Sequence, residues 1–369
     1  MNKNMHFLWV LVLALMLVGC HKKQKDHQPK VDVKEVETLQ KEVDVTINRY
    51  ECDLFSDEMK SLADKVAEEA RQPNFAPQKG MSDNMKSLSD AVAKLHDKYP
   101  EELIQDGVWN EPMMLLQLTN YLRDPVIKDI YQNAITMYPS LDDVEKEIEQ
   151  AYGYLIYYFP DEKVLNFYSV VPGIDLQMPS VYAIDDNLFI HLDMYLGENN
   201  KHYQAFGVPK FISQRCEKKY IAIDCFKKAI VYRHLPEKAR ETFLDNMIYE
   251  GKKLYFTELM FPERSEQDII GYTQAKYEWA VNYQGNVWNY LIEKNLLFSK
   301  DHEPVLKMIE EAPFTKPFTN ESPGRMGAFI GWKIVQQYMK NNPDVTLPQL
   351  MQNTDSRAIM NASKYQPNK

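Results

Sequence analysis

The sequence is short of the residues that cut a chain into pieces or staple it together. Glycine supplies 13 of 369 positions, and no Gly/Ser-rich stretch marks a flexible joint between separate domains. Cysteine is scarcer still: apart from Cys20 there are Cys52, Cys216 and Cys225, an odd set that cannot all pair within one chain. A Cys216 to Cys225 disulfide and free buried thiols both stay open, because spacing does not fix connectivity. None of the eight histidines has another three to five residues away, which removes the helical ligand pair on which many zinc sites are built. Beyond residue 20 there is no run of about eighteen apolar residues, so no membrane-spanning helix is expected there. Positive charge is also in deficit, with 43 basic against 53 acidic side chains and a net charge of −10. That balance argues against binding nucleic acid through its phosphates.

What is present begins with "MNKNMHFLWVLVLALMLVGC". Lys3 precedes an apolar run from Phe7 to Val18, too short to span a bilayer but right for a secretory signal. The run ends in Leu17-Val18-Gly19-Cys20, which resembles a lipobox: residues 1–19 are then a signal peptide, and Cys20 carries a diacylglycerol anchor. Their removal takes away Lys3 alone, leaving 42 basic against 53 acidic side chains. With no Asp directly after Cys20, the outer membrane is favoured over retention at the inner one. Residues 20–45 are polar, charged and free of Phe, Trp and Tyr, and read as a flexible tether. His21 and His27 within it read as solvated residues rather than metal ligands. The globular part is expected over residues 46–369 as one domain, in a chain whose 44% apolar residues suffice for a large core.

Periodicity divides that domain into helical flanks and a central sheet. "DVTINRYECDLF" suggests a short strand through Val45, Ile47 and Tyr50, and helices follow from cap candidates Ser56 and Ser82. His96, in the last turn of the second of these, reads as a capping cation. Two more helices, each punctuated by proline, lead to "KVLNFYSVV", "SVYAI" and "NLFIHLDMYLG", where the period drops to two and Asp185-Asp186-Asn187 forms a turn. These three segments are expected to make a small antiparallel sheet, with His191 as a half-buried structural residue. Helices return at 217–230, 236–259, 272–295, 325–340 and 347–352. The fold class is α+β, predominantly helical.

One helix holds the main chemical question. Over 236–259, Leu244, Met247, Ile248, Gly251, Leu254 and Tyr255 share one face and should be buried. Tyr249 and Lys253 stand at i and i+4 on the opposite side, with Glu250 on the flank, which is the layout of an HExxH zinc-protease helix with both histidines replaced. Zinc needs neutral imidazole lone pairs, and a lysine ammonium supplies repulsion instead. An amphipathic helix with a charged outer face is therefore favoured over a working site. Downstream, Gly324, Arg325 and Gly327 could let backbone approach an anionic ligand, or form a turn that leads into close helix packing through Gly327 and Gly331. Packing is preferred, because no phosphate-loop lysine accompanies the glycines.

Taken together, the lipobox, "RYECDLF", "FIHLDMYLGENNKHY", "PKFISQRCEKKYIAIDCF", "NMIYEGKKLYFTELMFPE", "APFTKPFTNESPGRMGAFIGWKIVQQYM" and the terminal "SKYQP" resemble the gliding motility lipoprotein B (GldB) family of Bacteroidetes over nearly the whole chain. That family is distantly similar to HExxH zinc-protease-like (zincin) domains. The resemblance implies a zincin-like scaffold whose degenerate metal-site positions are Tyr249, Glu250, Lys253 and Gln284, the last standing where relatives carry Glu. It also implies an envelope lipoprotein of the gliding or associated secretion machinery that is not an enzyme, that meets the membrane through its lipid and other envelope proteins through its domain, and that needs no metal or other cofactor. The alternatives are an envelope hydrolase or peptidase using Glu250 with Tyr249, Lys253, Asp193 or His191, which requires a second catalytic group beside Glu250, and a glycan-binding lipoprotein.

Overall fold

The fold is described from a computed structural model covering residues 27–237 and 240–367; the expected signal peptide, Cys20 and His21 lie outside the described residues. The first segment differs from the tether expected up to residue 45. Asp32 caps helix α1 (Val33–Glu42), its Oδ1 accepting from the Lys34 and Glu35 amides at 3.0 and 3.3 Å, and Val36, Val43 and Val45 are buried. The average polarity of the segment hid three valines that dock on a surface made elsewhere. That surface is helix α7, defined below, where a Cβ on Gly153 would sit 2.2 Å from Gln40 Cγ.

After strand β1 (Ile47–Arg49), the helices α2 (Tyr50–Leu54), α3 (Asp57–Glu69), α4 (Asp83–Lys98), α5 (Pro112–Arg123), α6 (Pro125–Met137) and α7 (Asp142–Tyr158) form one flank. Ser56 and Ser82 cap α3 and α4 as the sequence suggests, each hydroxyl accepting the amide three residues on.

The sheet contains β2 (Asn166–Val170), β3 (Val181–Ile184) and β4 (Asn187–His191) in the order β1-β2-β4-β3. It is mixed, not antiparallel. Only the β3/β4 hairpin runs antiparallel, whereas β1 pairs with β2 and β2 with β4 in parallel, Phe167 standing opposite both Ile47 and Leu188. Alternating burial identifies a strand without specifying its neighbour's direction; here α2–α7 supply the long crossover that a parallel β1/β2 pair requires. β4 inserts between β2 and β3 and is buried on both faces at Leu188, Phe189 and Ile190.

The second flank comprises α8 (Lys201–Ala205), α9 (Lys210–Ser213), α10 (Ile221–Lys228), α11 (Phe243–Met260), α12 (Glu266–Ile270), α13 (Gln274–Glu293), α14 (His302–Met308), α15 (Met326–Asn341), α16 (Leu347–Gln352) and α17 (Ser356–Ser363). α11 starts at Phe243 rather than 236, because Thr242 and Asp245 close a reciprocal capping box. Its main partner is α15. The two backbones touch at a glycine pair: a Cβ on Gly251 would lie 2.4 Å from the Gly331 carbonyl carbon, and one on Gly331 would lie 1.8 Å from Met247 O. Cys52, Cys216 and Cys225 are all free thiols.

Candidate functional site

The glycine pair fixes α11 against α15 at the turn that carries Tyr249, Glu250 and Lys253. The predicted core stripe from Leu244 to Tyr255 is buried, but the expected charged outer face is not a solvated one. The side chains of Glu250 and Lys253 are each only 12% exposed, and Lys252 is buried. Other charges, not water, cover this side.

Glu250 lies within a ladder of alternating charge. Lys253 Nζ donates to Glu250 Oε1 at 3.0 Å and to the Tyr232 hydroxyl at 2.9 Å. From the other side a guanidinium nitrogen of Arg325 donates to Glu250 Oε2 at 2.9 Å, while the second lies 3.4 Å from Glu311. Glu311 in turn accepts from Arg215 at 2.7 Å. Burial pushes the Glu250 carboxyl up, but Lys253 and Arg325 outweigh it and hold the group below its usual range. Lys253 is kept protonated in return: burial alone would lower its pKa, yet Glu250 raises it.

A general base needs an accessible lone pair and a pKa near the working pH. Glu250 has neither, since both oxygens accept from cations and its pKa is driven down. Tyr249 is half-buried beneath the Arg240 guanidinium, 4.2 Å from the ring centre. It lines a cavity of about 390 Å³ together with Arg240, Asp245, Ile248, Lys252 and Arg357. Lys252 Nζ donates to the Met351 and Asn353 carbonyls, and burial lowers its pKa to about 8.

The remaining predicted positions fall into three places. Gln284 is not part of the Tyr249–Lys253 group: its amide oxygen accepts from Tyr365 at 3.1 Å, and it lines a separate cavity with His27, Lys333 and Gln336. The resemblance placed it by sequence order, whereas the packing of α13 turns it toward the C-terminal residues. Arg325 serves the ladder from a left-handed backbone (φ 60°, ψ 31°), with Thr315 bridging the Pro323 carbonyl and the Met326 amide around it. A Cβ on Gly324 would meet Ala312 O at 2.1 Å, and one on Gly327 would meet Ile309 Cδ1 at 2.6 Å, so both glycines stand against protein atoms. His191 and Asp193 sit at the end of β4. Burial lowers His191 to about 4 and raises Asp193 to about 7, the latter accepting from the Gly173 amide at 2.9 Å. Neither faces Glu250: His191 lines a cavity with Tyr50 and Glu51.

Sequence reading passed over the buried acids Glu51, Asp224 and Glu258. Asp224 is held by Lys228 at 2.7 Å, Lys227 at 3.4 Å and the Tyr195 hydroxyl at 2.9 Å. Glu258, fully buried, continues the α11 stripe one turn past Leu254. An acid in core phase was the signal that could have found it.

These features define a largely helical α+β domain in which Glu250 of α11 is a salt-bridged strut between Lys253 and Arg325. The chain belongs to the gliding motility protein GldB family, whose model matches residues 30–367. No curated protein and no solved structure matches it. The family is a motility component, and its lipoprotein character implies association with the cell envelope. No helix among the described residues is long and apolar enough to cross a membrane.

Proposed function

We propose that this chain is a lipid-anchored, non-catalytic accessory component of the gliding motility or associated secretion machinery, attached through Cys20 to the outer membrane and presenting its domain to other envelope proteins. The observation that carries the reading is the state of Glu250. The one acid at the HExxH-like position is bound by Lys253 and Arg325, and the residues that would replace the histidines are a tyrosine and a protonated lysine. The test uses a strain lacking the chromosomal copy. A Glu250→Gln/Lys253→Gln double variant, which removes one charge of each sign, should restore motility as well as the unaltered gene does. Loss of motility at normal protein abundance would refute the non-catalytic role. Cys20→Ser should move the protein out of the membrane fraction; unchanged membrane retention would overturn the lipid anchor.

A further inference from the structure

We infer that His27, Glu258 and Glu266 form a binding site for one divalent transition-metal cation of the zinc or manganese type. The three residues come from distant parts of the sequence: the segment before α1, the last turns of α11 and the start of α12. One ligand atom from each lies within 4.8 Å of the others. Two carboxylates this close, one fully buried and the other 14% exposed at its side chain, repel each other and call for positive charge between them. Lys333, 2.6 Å from Glu266, offsets part of that repulsion from one side.

The surroundings are those of a supported site. Glu258 Oε2 accepts from Trp332 Nε1 at 3.1 Å and from Gln336 Nε2 at 2.7 Å. Glu266 Oε2 accepts from Lys333 and from the Tyr277 hydroxyl. Groups from α13 and α15 thereby orient both carboxylates, as outer partners orient metal ligands. Glu258 Oε1 meets His27 Nε2 at 2.9 Å and Gln28 Nε2 at 3.3 Å, and Gln336 Nε2 bridges the two carboxylates, donating to Glu266 Oε1 at 3.0 Å as well as to Glu258 Oε2. Coordination would replace the His27 to Glu258 hydrogen bond with two bonds of about 2.0–2.2 Å to the ion. One imidazole and two carboxylates suit zinc or manganese, whereas calcium takes six to eight oxygens. The neighbouring cavity of about 570 Å³, lined by His27, Gln284, Lys333 and Gln336, gives the ion a route in. A bound ion would pin the segment that follows the anchor to the centre of the domain.

The test uses the full-length protein purified in detergent, equilibrated with Zn²⁺ and in parallel with Mn²⁺, freed of unbound metal and measured by elemental mass spectrometry. One ion per chain is expected, with affinity at least tenfold weaker in His27→Ala and in Glu266→Gln and unchanged in Glu250→Gln. Circular dichroism checks that each variant is folded. Because Glu258→Gln alters a fully buried group, the two less buried ligands carry the test. No stoichiometric ion of either metal, equal retention by both folded variants, or loss on Glu250→Gln alone would each overturn the site.

Discussion

Glu250 and Glu258 lie on the same helix, little more than two turns apart, and have opposite surroundings. Glu250 is enclosed by cations, Lys253 and Arg325. Glu258 accepts from neutral donors, Trp332 and Gln336, and meets the His27 imidazole. The first carboxylate has its charge balanced by a lysine and an arginine and serves as a bracket between α11 and α15. The second accepts, among its described contacts, from an indole, side-chain amides and an imidazole. The contrast shows that the position an acid holds in a motif says less about its chemistry than the charge of the groups that reach it. Here the glutamate in the Tyr249–Lys253 stretch is the one that cations enclose.

The largest expected effect removes the frame that both acids share. Gly331→Ala places a methyl into Met247 O and should cost about 3 kcal/mol in chemical denaturation, through overpacking of the α11/α15 seam. A variant as stable as the parent would mean that the helices part easily. Next is Glu250→Gln, which leaves Lys253 and Arg325 beside a neutral amide and should cost about 2 kcal/mol, less than breaking an isolated buried pair because Lys253 keeps the Tyr232 hydroxyl and Arg325 keeps Glu311.

Lys252 sharpens the comparison through pH. Its folded pKa, near 8, lies below the unfolded value of about 10.5. Between those values the unfolded chain binds more protons, so this lysine's penalty on folding is fully present below pH 8 and is relieved as pH rises toward 10.5. The stability of the wild type minus that of Lys252→Met should therefore grow across that window; a flat difference would show that Lys252 is charged in the fold. The smallest effect is expected at the other acid. Glu258→Gln keeps an acceptor for Trp332 and Gln336 and should cost about 1 kcal/mol. If it proves costlier than Glu250→Gln, the roles of bracket and ligand are reversed between the two carboxylates.

What could be read in the sequence followed from how local each signal is. The caps at Ser56 and Ser82 lie three residues from the amides they accept, and the α11 stripe repeats every turn, so both were visible. The direction of β2 relative to β1 depends on more than a hundred intervening residues and was not. The ladder was hidden for the same reason: Arg325 reaches Glu250 across 75 positions, and no pattern at either end announces the other. Gln284 was grouped with Tyr249 by order along the chain and parted from it by the packing of α13. Glu258 was legible in phase with the stripe, yet hydrophobic periodicity does not flag the acid that interrupts it.

The docking of residues 27–45 also sets a length. Seven residue steps separate Cys20 from His27, and even fully extended they span no more than about 25 Å. On the proposed anchoring through Cys20, a tether running to residue 45 would let the domain range roughly 85 Å from the lipid. With His27 held at Glu258 and α1 packed on α7, the proposed anchor at Cys20 would keep the domain close to the bilayer surface. On that proposal, its envelope partners would meet the domain at that surface.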